Sequence, residues 1–110
     1  MDAVRIGNSV PVYDDYSVQV GAIGQYYSRS CQSRFGVFFA VGSGPLQFRL
    51  YLQRRNDGVE QTLNYNGFVS DGTEYATPLL YAPQPNSGWA CNTFLTSAEW
   101  SSTYTTGYLN

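Results

Sequence analysis

No stretch of ten or more residues in this chain carries helical periodicity without a breaker inside it. A helix of one or two turns does not support itself, so the chain is confined to short extended segments. Turn signals recur at close spacing: Gly42-Ser43-Gly44-Pro45, Asn56-Asp57-Gly58, Asn66-Gly67 and Asp71-Gly72. Between them apolar and polar residues alternate with period two, the mark of strands with one buried face.

The clearest alternation sets Leu46, Phe48, Leu50 and Leu52 against Gln47, Arg49, Tyr51 and Gln53. Upstream, Tyr16, Val18, Val20 and Ala22 share one parity, with Ser17, Gln19 and Gly21 on a wet face. Gly36 to Val41 is instead continuously apolar, the signature of a central strand buried on both faces. Asn56-Asp57-Gly58 predicts a tight turn into a return strand over Val59 to Tyr65. Asn66-Gly67 predicts a second turn into Phe68-Val69, so residues 35–70 are expected to form an antiparallel meander. Further short strands are expected at Glu74–Ala76, Leu79–Tyr81, Trp89–Leu95 and Ser101–Leu109, with a proline-rich loop over 82–88. Thr96-Ser97-Ala98-Glu99 resembles a helix capping box with room for one turn only. With 110 residues there is length for one core. Seven to nine short strands with frequent turns predict an all-β fold, an antiparallel β-sandwich or jelly-roll-like single domain over 1–110.

The chain lacks histidine and lysine, and its six basic residues are all arginine. Without imidazole there is no Ser-His-Asp or Cys-His nucleophile system, and without an amine no Schiff base and no phosphate-loop lysine. Paired carboxylates are the remaining catalytic option, from Asp14, Asp15, Glu60, Asp71, Glu74 and Glu99, and nothing in the sequence sets one in an apolar pocket. The expectation is a protein that is not an enzyme and holds no cofactor. A net charge of -2 gives no basic stripe for nucleic acid or an anionic membrane. No apolar run approaches the roughly 20 residues of a membrane-spanning helix. Cys31 and Cys91 have no partner set for zinc. A disulfide between them would close a loop of about 60 residues, worth about 4 kcal/mol, whereas production in a cytoplasm favours two thiols. Asp57-Gly58-Val59-Glu60 and Asp71-Gly72-Thr73-Glu74 repeat one pattern. A meander would bring the two acidic turns to one sheet edge, about 10 Å apart. A weak calcium site is the functional reading and two solvated hairpin turns the simpler, preferred one.

Ten tyrosines and two tryptophans are the informative feature. Tyrosine offers contact area at small entropic cost, and Asn, Gln and Ser around it make an adaptable surface. The candidate binding surface comprises Tyr51, Tyr65, Tyr81, Asn86, Trp89 and Asn92. Three functions fit such a chain. The first is a structural subunit, expected as a virion part (a bacteriophage capsid-decoration, spike or tail component) that contacts copies of itself or other protein subunits. The second is a lectin-like module that stacks glycans on Tyr and Trp. The third is a small inhibitor or immunity-type protein. Met1-Asp2-Ala3-Val4-Arg5 is not a positive segment followed by an apolar stretch, so the expected origin is a cytoplasm, without a signal peptide. The expected destination is a virion or other extracellular assembly.

Overall fold

Alternation over residues 44–54 builds one inner wall of the molecule: Leu46, Phe48, Leu50 and Leu52 all point inward and are buried. The computed structural model describes residues 3–84 and 87–110. Its strands in chain order are β1 (Ala3–Tyr13), β2 (Gln19–Ser28), β3 (Ser33–Ala40), β4 (Gly44–Arg54), β5 (Glu60–Val69), β6 (Glu74–Ala76), β7 (Leu80–Tyr81), β8 (Cys91–Thr96) and β9 (Tyr104–Leu109). One sheet has the order β1-β2-β3-β6, with β7 also on β3, and the other β5-β4-β8-β9. Every pairing is antiparallel. We call these sheet I and sheet II. The fold is the all-β sandwich that the turn spacing predicts. No helix of the described residues is long and apolar enough to cross a membrane.

The core lies between the sheets. Val12, Ile23, Phe38 and Ala40 from sheet I meet Leu46, Phe48, Leu50 and Leu95 from sheet II. Phe38 and Phe48 touch at 4.7 Å between ring centroids. Gly21 makes room for that contact, because a Cβ there would lie 2.5 Å from the Phe38 ring and 2.5 Å from the Phe39 carbonyl oxygen. Toward one end the interior turns polar around Arg34, which is fully buried on the inner face of β3. Its guanidinium donates to the carbonyl oxygens of Ala82 (3.0 Å), Leu109 (2.5 Å) and Pro83 (3.5 Å) and to Gln25 Oε1 (3.1 Å). Gln25, itself buried, donates onward to the Cys91 carbonyl oxygen at 2.9 Å. Burial pulls the Arg34 pKa below its ordinary value, and no carboxylate of the described residues is ion-paired with it.

Four sequence expectations are corrected here. The run over 35–70 is divided between the sheets: β3 lies in sheet I, β4 and β5 pair in sheet II, and residues 41–43 cross from one layer to the other. Asn66-Gly67 does not turn. β5 runs straight through it in unbroken register, with Gly67 opposite Leu46. Gly67 does not need positive φ, and the Tyr65 ring lies 3.5 to 3.7 Å from where its Cβ would be, covering the bare backbone. The acidic turns at Asp57/Glu60 and Asp71/Glu74 therefore sit at opposite ends of a strand about 30 Å long, which removes the geometry a shared calcium ion requires. Lastly, Tyr16 is not in a strand. The Asp14 carboxylate accepts from the backbone of Tyr16 (2.9 Å) and Val18 (3.0 Å), and that turn holds Tyr16 out in solvent. Tyr13 pairs with Gln19 while Val12 pairs with Gly21, so Val20 is an extra residue in β2. This bulge switches the parity, and Gly21, Ile23, Gln25 and Tyr27 become the inward set. Tyr27 is accordingly buried, and its hydroxyl accepts from the Gln84 backbone N–H.

Candidate interaction surfaces

Cross-strand register places Arg5, Tyr26 and Phe35 in one row across the outer face of sheet I, and Ala22, Phe39 and Glu74 in another. Tyr26 and Phe35 stack with centroids 5.6 Å apart and planes 13° from parallel. Gly24 lies between the rows. The stem of Arg5 spans it, with Cδ 3.7 Å from the place of an added Cβ. The result is a groove of about 260 Å3, floored by Ala22 and Gly24, walled by Tyr26 and Phe39, and flanked by Arg5 and Glu74. Phe39 is 41% exposed on this face. An antiparallel sheet with one face on the core ordinarily turns polar residues to water on the other. Here the outer side of β3 carries Phe35, half-buried, Val37, buried beneath its neighbours, and Phe39, exposed. None of these residues is among the surface candidates read from the sequence. Their signal is the continuous apolar run Gly36 to Val41, which fits a strand with both faces covered; sheet II covers one.

The outer face of sheet II is aromatic and polar. Tyr51 and Phe94 stack at 4.5 Å and 11° near its middle. Thr105 donates to Asn92 Oδ1 at 2.6 Å, Tyr108 donates to Gln53 Oε1 at 3.1 Å, and the Arg55 guanidinium lies 4.6 Å over the Tyr108 ring. Tyr51 and Asn92 thus share a face. Tyr65 is on the opposite, inner face of β5, stacked on Phe48 at 5.4 Å and packed on Tyr75 at 4.8 Å. Burial first, and then its hydrogen bond with Tyr75, raise the Tyr65 pKa.

Tyr81 and Trp89 meet at one end of the sandwich, edge to face at 5.6 Å. Arg54 covers Trp89 at 5.1 Å, donates to the Tyr81 carbonyl oxygen at 2.6 Å and forms a two-pronged ion pair with Asp57 (2.9 and 2.6 Å). That hydrogen bonding holds the Asp57 carboxyl below its usual pKa and raises that of Arg54. A sugar ring would have to displace Arg54 to stack on that face of Trp89. Asn86 lies outside the described residues.

The cysteines are both free thiols, Cys31 exposed in the turn after β2 and Cys91 buried on the inner face of β8. Burial pushes the Cys91 thiol above its usual pKa, so it is both shielded and poorly ionised. A thiol reagent is expected to titrate one cysteine rapidly in the native protein and both in denaturant. Two fast thiols, or none, in the native state would contradict this arrangement.

No family model, curated protein or solved structure matches the chain.

The functional reading therefore rests on the two outer faces, the sheet edges and the residues that supply them.

Proposed function

We propose that this protein is a non-catalytic assembly subunit, working through protein-protein contacts made by the outer face of sheet I. The observation that carries the reading is the exposure of Phe39 beside the stacked Tyr26 and Phe35, on a face where a free-standing sandwich keeps polar residues. Aromatic residues with a few flanking charges are the makeup of an interface centre, and Arg5 and Glu74 supply one charge of each sign at opposite edges. A two-fold axis lying in this face and bisecting the line from Arg5 to Glu74 sets each arginine over the glutamate of a second copy. The face is thereby self-complementary. The assembly proposed is a particle surface of the virion type. A chain without histidine or lysine supplies shape and aromatic contact but little proton chemistry, which suits such a role.

Light scattering at tens of micromolar tests the reading. The wild-type mass is expected to exceed that of one chain and to fall in Phe39→Arg. That substitution puts a charge in the centre of the face while facing Glu74 across the strands, so the fold itself tolerates it. Equal masses for the two proteins, with equal circular dichroism spectra, would remove sheet I as the contact surface.

A further inference from the structure

We infer that β5 is a second, separate interface, and that its partner is β5 of another copy of this chain, joined antiparallel into a continuous eight-stranded sheet. The inference concerns the edge of sheet II and stands apart from the sheet I reading. The two sheets have four long edges, formed by β1, by β6 with β7, by β5 and by β9, and they differ in how they meet water. β1 carries Pro11 and breaks register between Ile6 and Val10 and between Val12 and Tyr13. β9 breaks register opposite Asn92/Phe94 and contains Gly107 at a φ of 75°. β6 and β7 are three and two residues long. Each device blunts an edge against pairing. β5 has none of them. It runs for ten residues in unbroken register, contains no proline and no basic residue, and has a single acid, Glu60, at its start. No strand of the described residues pairs with its outer edge.

The hydrogen-bond phase shows which backbone groups that edge presents. Arg54 N–H donates to the Val59 carbonyl oxygen at 2.9 Å, and Gly58 N–H to the Arg54 carbonyl oxygen at 2.9 Å. Even-numbered residues of β4 therefore bond toward β5, and odd-numbered ones toward β8. The Arg55 N–H to Ala90 carbonyl bond, 2.8 Å, confirms the phase from the other side. In the constant β4–β5 register the odd residues of β5 take those bonds. Glu60, Thr62, Asn64, Asn66 and Phe68 then direct their N–H and C=O groups away from β4. The Phe68 oxygen is met by the Tyr65 hydroxyl.

A two-fold axis through Asn64 brings all five of these residues into register, with the Phe68 oxygen keeping its second lone pair for the new bond. It pairs Asn64 with itself, Thr62 with Asn66 of the second copy, and Glu60 with Phe68 of the second copy, so the strand's only charge never meets its own image. On the inner face the same register sets Leu63 beside Tyr65 of the second copy. Both residues are half-buried at the margin of the core in the single chain, and pairing would finish covering them. An isologous contact of this kind closes on itself as a dimer.

The test uses the full chain. On the Phe39→Arg background light scattering is expected to give the mass of two chains. Asn64→Pro, which deletes only an outward N–H, and Asn64→Lys, which places like charges on the axis, are each expected to halve it with the β spectrum retained. Amide hydrogen exchange gives the second readout. In the pair the amides of Thr62, Asn64, Asn66 and Phe68 exchange slowly, along with the odd-numbered ones bonded to β4. In the Asn64 variants, slow exchange survives only at the odd-numbered positions. A two-chain mass that persists in both Asn64 variants, or fast exchange at Thr62, Asn64 and Asn66 in the two-chain protein, would overturn the inference. A Phe39→Arg change without effect, beside a loss of pairing in Asn64→Lys, would instead reject the sheet I reading and leave this one standing.

Discussion

Arg34→Ala is expected to cost about 3–5 kcal/mol in urea denaturation, a large share of the stability of a domain this size. Arg34 is fully buried and reaches three segments distant in sequence: Gln25 on β2, the carbonyls of residues 82 and 83, and the end of β9 at Leu109. A guanidinium suits this task because its donors are fixed in a planar fork, whereas an ammonium is a compact point that cannot span all four acceptors. Desolvating the cation is costly, and neutral oxygens alone offset that cost here. Removing the side chain trades that cost for a worse one, since the acceptors remain buried and each unpaired group costs about 1–3 kcal/mol. Arg34→Met restores volume without donors and is expected to recover less than half of the loss. Arg34→Lys should fall between Met and wild type. A methionine variant within 1 kcal/mol of wild type would mean that water replaces the guanidinium at no cost, and that the network does not hold the end of the sandwich together.

Arg34 also marks how far the sequence could be read. It falls on the inward parity of β3, next to an apolar run, and nothing in a single sequence distinguishes a buried arginine from a solvated one. The inward set of β4 was legible because alternation over 44–54 is uninterrupted, and all four predicted core residues are buried. Partition between sheets was not legible. Gly42-Ser43-Gly44 signals a reversal, and a hairpin and a crossover between layers have the same turn chemistry. β1 escaped notice because Gly7, at a φ of 69°, and the bulge between Ile6 and Val10 break the very alternation that identifies strands. Val20 is the same lesson in β2, where one extra residue reverses the inward parity. Of the surface candidates, Tyr51 and Asn92 share one face and Tyr81 and Trp89 one end, while Tyr65 points inward. Tyrosine's affinity for strands does not say which side of a sheet it takes. The sheet I face was overlooked because its residues read as core.

Phe38 and Phe39 make that ambiguity measurable. The two are adjacent and identical in chemistry, yet Phe38 is 0% exposed between the sheets and Phe39 is 41% exposed outside them. Phe38→Ala is expected to cost about 3–5 kcal/mol, because it removes a ring packed on Phe48 at 4.7 Å and leaves a cavity under Gly21 that the backbone of β2 cannot close. Phe38→Leu keeps most of the volume and is expected to lose less than half as much. Phe39→Ala, measured where the protein is a single chain, is expected to cost less than about 1 kcal/mol, since water already reaches the ring. Repeated at concentrations where copies associate, the ranking should narrow: assembly stabilises the wild type by mass action and abandons Phe39→Ala, so the second substitution acquires a cost the monomer does not show. If the Phe39→Ala penalty stays the same from sub-micromolar to tens of micromolar protein, the outer phenylalanine contributes nothing to association. The run Gly36 to Val41 would then be apolar on both sides for the sake of one.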